Sequence, residues 1–466
     1  MISAIDSTIA DFARALDKGE YSAEAIVEAA LARVEDYDVA IHSFVEVFAV
    51  GAVKAARAVD RQVAAGVSPG PLAGVPVAHK DIFYRRDRAP SCGVKNSRGL
   101  PVLPASPVPD RLAAAGAVEL GTLNLSAFCF GATGANEAYG DVCNPWDPTR
   151  VTGGSSSGSA AAVAAGFVRA SLGTDSGGSV RAPAALCGVV GLKPTHGVLP
   201  TTGLFPMTFS LDCVGVLTRS IADCAAIFSV AVGRTVAPLA PYPLRVGVPR
   251  NFYLEGLDSP VAAAFEAGCR ELARSGAALI DVSVPEDEEM RSLLRLIMRS
   301  EGVAIHAGLM TERPENYSRE VRRFLESGLG VSARDYIDAL RLRDRFLVRS
   351  MREVFDRVDV LLTPTTPIVA PSHAKVADVD SEQAWRTITL LTRCTQPASY
   401  MGLPALSVPF GADDGHLPIG IQLIAAPHRE DALFGVANLL EAAAPRRLPP
   451  LDNLLRAPSK NQKGRN

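Results

Sequence analysis

Between residues 120 and 235 this 466-residue chain is built from Gly, Ser, Thr and Ala at nearly every turn. Apolar segments break in every few residues: AAAVAAGFV at 160–168, LCGVVGL at 186–192 and CVGVL at 213–217. Glycine opens backbone conformations and approaches that a β-carbon closes. A stretch this dense in small residues and this poor in aromatics therefore predicts backbone packed closely against backbone, not a solvated linker.

The flanking segments read as alternating helices and strands. Ile9, Phe12, Ala13 and Leu16, then Ala25, Ile26, Ala29 and Leu31, recur at helical spacing over 7–35, with Ser22 as a cap, and 44–66 continues in the same manner. LAGVPVAH at 72–79 reads as a buried strand, as do PLRVGVP at 243–249, ALIDVSV at 278–284, VDVLLTPT at 358–365 and IGIQLIAA at 419–426. Helices are expected after Asp258-Ser259-Pro260, over 334–356 and over 430–442. The residues before the glycine–serine turn, NPWDPTRVT at 144–152, read as turns. Strand–helix alternation makes the fold class α/β.

Length alone would allow about three domains, but neither a linker nor a repeat interrupts the pattern. One large domain over 1–455 is expected: a helical part over about 1–66, a catalytic core over about 70–235 and a C-terminal part over about 240–455. The polar, basic tail 456–466 is expected to be disordered.

Charge and cysteine usage exclude several functions. Lys plus Arg number 47 against 50 Asp plus Glu, a net charge of −3, which lacks the broad basic field of a nucleic-acid binder. No apolar run approaches the ~18 residues of a membrane span. The start, MISAIDSTIADFARALDKGE, lacks the basic head and apolar core of a signal peptide. A cytoplasmic protein with no membrane contact is expected. The eight cysteines include no CxxC pair, and no HExxH or clustered His/Cys/carboxylate set occurs. Reduced thiols with no metal site follow.

Three constellations have chemical potential. Gly153-Gly154-Ser155-Ser156-Ser157-Gly158-Ser159 opens directly onto an alanine-rich helix former, leaving free N–H groups beside a positive helix end. That suits an anion, a developing oxyanion or a plain structural cap. It also matches GxSxG with Ser156 as nucleophile, but the turn-like residues before it offer no strand to enter an α/β-hydrolase elbow. Gly173-Thr174-Asp175-Ser176-Gly177-Gly178-Ser179-Val180-Arg181 places the Ser179 hydroxyl on a tight turn, where the amides of Gly177, Gly178 and Ser179 converge. The alternative is a glycine turn with a capping serine. Lys80 ends a buried strand, where loss of solvation would favour a neutral amine able to act as a base. The alternative is a strand-end lysine that reaches water.

Taken together, GVPVAHKD around Lys80, GGSSSGSAAAVAAG at 153–166 and GTDSGGSVRAPAALCGVVGLKPT at 173–195 resemble the amidase signature family. CNPWDPT at 143–149, VDVLLTPTTP at 358–367, GLPALSVPFG at 402–411 and LPIGIQLIAA at 417–426 extend the resemblance over nearly the whole chain. It implies a central mixed β-sheet flanked by helices and a Ser-cisSer-Lys triad: Ser179 as nucleophile, Ser155 as proton relay and neutral Lys80 as base. It implies a cis peptide at Gly154–Ser155 and an oxyanion hole from the amides of Ser176, Gly177, Gly178 and Ser179. The reaction would be hydrolysis of a carboxylic amide, or of an ester or carbamate, to acid and ammonia or amine, with no cofactor and no metal.

FCFGATGANEAYG at 128–140 matches a stretch lining the family's substrate cleft, which implies substrate binding at Cys129 and Gly131; the alternative is a core loop with a buried thiol. Arg181 either binds a substrate carboxylate or sits in a buried ion pair. Ser157 and His79 depart from the family's usual residues. The expected partner is a small-molecule amide, with no nucleic acid and at most a homodimer. Alternatives are the A subunit of a tRNA-dependent glutamine amidotransferase, an esterase centred on Ser156 and an inactive scaffold. VLPTTGL at 198–204 lacks the Ser-Arg-Tyr-Gly stretch typical of that A subunit.

Overall fold

The computed structural model describes residues 7–97, 99–284, 287–378, 380–444 and 447–456. Among these, eleven strands form one mixed sheet. In spatial order they are Phe44–Val47, Val118–Leu123, Pro76–Lys80, Ala170–Thr174, Val214–Thr218, Val190–Lys193, Ala405–Ala412, Pro418–Ala425, Val360–Pro364, Arg245–Pro249 and Ala278–Val282. Pro76–Lys80 runs parallel to both Val118–Leu123 and Ala170–Thr174, and the four strands from Val214–Thr218 to Pro418–Ala425 are antiparallel to their neighbours. Helices flank the sheet, so the central strands are buried on both faces and read as continuous apolar runs. Side-chain alternation divides the core: Val214 and Val216 join one apolar cluster and Leu217 another.

The small-residue stretch packs as its composition predicts. The helix Ser157–Ala164 is buried along its whole length. A β-carbon on Gly158 would lie 2.5 Å from the Ser43 carbonyl oxygen and 2.6 Å from the Asn124 backbone, so the helix reaches its neighbours only without one.

Several boundaries differ from the sequence reading. The span 7–35 holds two helices, Ile9–Asp17 and Ala23–Ile41, and the Ser22 hydroxyl caps the second by accepting from the Ala25 amide. The span 44–66 begins as a strand, Phe44–Val47, because those residues complete a sheet edge against Val118–Leu123, and only then becomes the helix Ala49–Ala64. The residues 144–152, read as turns, form a hairpin of Cys143–Asn144 and Asp147–Val151 that stands apart from the main sheet. The long helix Asp287–Glu312 has no counterpart in the sequence reading. All eight cysteines are free. No helix among the described residues is long and apolar enough to cross a membrane. The tail expected to be disordered lies outside the described residues from 457 onward.

Candidate active site

Lys80 is the last residue of its strand and is buried. The parallel neighbour Ala170–Thr174 ends at the same edge of the sheet, so Thr174 arrives beside it. The Lys80 Nζ donates to Ser155 Oγ at 2.8 Å and to Thr174 Oγ1 at 2.8 Å. Among the described residues no carboxylate forms an ion pair with this amine. Strand alternation turns the preceding His79 to the opposite face, where its Nδ1 accepts from the Leu172 amide at 3.1 Å. Burial drives the His79 imidazole down to about 3, so it is neutral at physiological pH.

Ser155 follows a cis peptide bond from Gly154 and is fully buried. The Ser156 amide donates to the Ser179 carbonyl at 3.1 Å, which ties the two serine turns together. The Ser156 hydroxyl is buried and engaged with the backbone of Thr174, at 3.2 Å to its carbonyl and 3.3 Å from its amide. With its preceding strand outside the central sheet, Ser156 does not form a hydrolase elbow. Ser157, the departure from the family pattern, buries a hydroxyl without a hydrogen-bond partner among the described residues.

The turn at 175–181 is held by one carboxylate. Asp175 is fully buried and accepts from the amides of Gly178 at 2.7 Å and Val180 at 3.2 Å. Arg181 closes on it with Nε and a terminal nitrogen, both at 2.9 Å. The other Arg181 donors go to Gln422 and Ser399 at 2.7 Å each. Burial alone would raise the Asp175 carboxyl, but Arg181 outweighs it and the group sits at about 2.

Two sequence assignments change as a result. Arg181 does not serve the substrate, because it is fully buried, each of its three guanidinium nitrogens is engaged inside the core, and it does not line the cleft that Ser179 opens onto. The Gly178 amide is not free for an oxyanion, because Asp175 takes it. The amides of Ser176, Gly177 and Ser179 donate to no acceptor among the described residues. The Ser176 hydroxyl is tethered to Asp212 at 2.7 Å. Only glycine fits position 178: φ is +130° and a β-carbon would collide with Thr395 Oγ1.

Ser179 is partly exposed and opens onto a cleft of about 160 Å³. Cys129 and Gly131 line it, as does Gly177. Phe128 and Cys129 hold φ at +51° and +67°, a conformation that costs a non-glycine residue free energy and is maintained by the surrounding packing. Phe128 stacks on Tyr317 with centroids 4.9 Å apart, and Tyr317 hydrogen-bonds His306 at 2.9 Å. The far wall comes from segments that carried no motif: Met298, Arg295 and Arg299 on helix Asp287–Glu312, Phe324 on helix Arg319–Glu326 and Trp385 on helix Glu382–Leu390. Thr174 was also missed as a Lys80 partner, although it sits in the 173–181 segment.

A family model described as Amidase matches residues 25–434. The A subunit of the glutamyl-tRNA(Gln) amidotransferase of Chloroflexus aurantiacus is 37% identical over 463 residues, covering 91% of this chain and 94% of the relative. A crystal structure described as an amidase superposes with a TM-score of 0.87 at 32% identity, covering 94% of this chain and 100% of the other. A second, described as a vestigial protein complex that reveals the origins of an s-triazine catabolic enzyme, superposes with a TM-score of 0.87 at 31% identity, covering 95% of this chain and 100% of the other.

The expectation of a small-molecule partner alone, without nucleic acid and with at most a second copy of the chain, is corrected by the first of these relatives. Its name is that of one component of an amidotransferase for glutamyl-tRNA(Gln). A net charge describes the field of one chain and is silent on what a companion protein binds.

Proposed function

The chain belongs to the Amidase family, and from that premise we propose that it is the ammonia-producing A-type component of a multi-protein amidotransferase, cleaving the side-chain amide of glutamine through a Ser179 acyl-enzyme. Companion proteins and glutamyl-tRNA(Gln) are then its partners. The observation that carries the chemistry is the 2.8 Å contact of the buried Lys80 amine with Ser155, in a site whose third member, Ser179, opens to the cleft.

Unprotonated Lys80 takes a proton from Ser155, which takes one from Ser179. The Ser179 oxygen bonds to the amide carbon, and charge on the carbonyl oxygen is received by the amides of Ser176, Gly177 and Ser179. One such donor is typically worth roughly 3–4 kcal/mol. The proton returns through the relay to the nitrogen, the C–N bond breaks and ammonia leaves. Water then cleaves the ester by the same relay and restores Ser179.

A stand-alone amide hydrolase is the second reading, favoured by VLPTTGL at 198–204 in place of Ser-Arg-Tyr-Gly. Affinity isolation of the tagged chain from its native cells, followed by ammonia assay with glutamine, separates the two. The amidotransferase reading expects companion proteins to co-purify and to raise glutamine-dependent release well above that of the lone chain. Full-rate hydrolysis of simple amides by the lone chain, with glutamine no better a substrate and no companions, contradicts it.

A further inference from the structure

Helix Asp287–Glu312 carries Arg291, Arg295 and Arg299, three guanidinium groups at four-residue intervals along one stripe. One acid serves the first two. Glu288 lies 2.5 Å from Arg291 and 3.6 Å from Arg295. Arg291 also donates to Gln396 at 3.1 Å, and Arg295 to the Arg291 carbonyl at 3.4 Å. Burial and the neighbouring Arg291 and Arg299 hold Arg295 below its ordinary value, so the row is electrostatically uncomfortable.

Arg299 has no such relief. Among the described residues it forms no ion pair and no hydrogen bond, and its Nε is buried without a partner. Its guanidinium lies against the ring of Phe324, whose centroid is 5.7 Å from Cζ. Yet it lines the same cleft as Ser179. The contrast with Arg181, which spends every arm of its fork, is complete. Glu320, the acid lining this cleft, is pushed up by burial and by Glu137, which weakens its repulsion of an anion nearby. Met207, Met298 and Trp385 supply apolar walls for a short carbon chain.

We infer that Arg299 receives a carboxylate of the substrate, so that the cleft selects short amides bearing that group over plain alkyl amides. A planar fork with unspent donors matches a carboxylate through two parallel N–H···O bonds, and a bound anion offsets the crowding of like charges on the helix. Glutamine carries such a carboxylate, and the inference rests on the amide-cleaving reading above.

Glutarate, the dicarboxylate that glutaric acid monoamide leaves behind, tests the site without requiring turnover. It is titrated calorimetrically into the full chain, the Arg299→Gln variant and the Arg299→Lys variant, with melting temperatures recorded to establish that each is folded. Binding to the native chain, weakened on the order of 10- to 100-fold in Arg299→Gln and less in Arg299→Lys, is expected. Equal affinity in all three, or no binding to the native chain, overturns the inference. Release of ammonia from glutaric acid monoamide is followed in parallel. Glutarate binding that depends on Arg299, with no ammonia released from glutaric acid monoamide or glutamine by the chain either alone or with its companion proteins, would sink the amide-cleaving reading and leave the carboxylate site standing.

Discussion

Lys80 and Ser155 are 75 residues apart in sequence and 2.8 Å apart in space, joined by a hydrogen bond from Nζ to Oγ inside the core. Thr174 completes the lysine's surroundings at the same distance. Replacing Thr174 by Val keeps the shape and removes that partner. The loss of a hydrogen bond of this kind costs about 1 kcal/mol. Thr174→Val is expected to unfold at slightly lower urea concentration and to turn over roughly ten times more slowly, because the amine is freed to leave Ser155. Unchanged kinetics would show that Thr174 does not position Lys80.

The Asp175–Arg181 pair lies wholly inside the core. Removing one member of a buried pair strands the other, at about 3–5 kcal/mol. Arg181→Met should therefore be strongly destabilised in urea titrations at pH 7. Because the folded Asp175 carboxyl sits at about 2, below its ordinary 3.8, its contribution is complete above 3.8 and lost as pH falls through about 2. The penalty of Arg181→Met should shrink between pH 4 and pH 2; a constant penalty would contradict the pairing.

Two fully buried histidines contribute to the loss of stability in acid, as does His196, which burial holds down to about 4. Burial drives His79 and His306 to about 3, against an ordinary 6.5. Below 6.5 the unfolded chain binds protons that the folded chain refuses, so stability falls as pH drops from 6.5 toward 3. Each group removes about 1.4 kcal/mol per pH unit in that window. Denaturant midpoints at pH 7 and pH 5 should differ accordingly. Equal midpoints would mean that the imidazoles can be protonated in the fold.

Gly178→Ala forces a β-carbon against Thr395 Oγ1 at a backbone angle that alanine resists. Strain of this kind costs about 1–3 kcal/mol. The turn bearing Gly177 and Ser179 must shift to relieve it. Activity is expected to drop by more than the melting temperature implies, since small displacements at a reacting centre are magnified in rate. A variant with native activity would show that this turn tolerates movement.

The strand–helix alternation was legible in the residues themselves, whereas the mixed sheet and the meeting of Lys80 with Ser155 were legible only through the family resemblance that the short motifs carry. Strand ends announce themselves by apolar runs, and small-residue turns by their glycines. The fate of the Gly178 amide was not legible, because it depends on where the Asp175 side chain points. Arg181 left two readings open for the same reason: a guanidinium beside a glycine turn looks alike whether it faces the core or the cleft. The cleft wall of Arg299, Phe324 and Trp385 is assembled from three helices that lie well beyond the serine turns in the chain and carry no motif of their own. The split of 7–35 into two helices and the strand at Phe44–Val47 reflect tertiary pairing overriding local pattern.

The relay is tested most directly by a serine-reactive fluorophosphonate, which loses fluoride as the attacking oxygen bonds to phosphorus. Intact-mass and peptide analysis should find one label per chain, on Ser179, absent from Ser179→Ala and slowed by orders of magnitude in Lys80→Ala. Labelling at Ser156, or labelling of Ser179 at an undiminished rate without Lys80, would contradict the account.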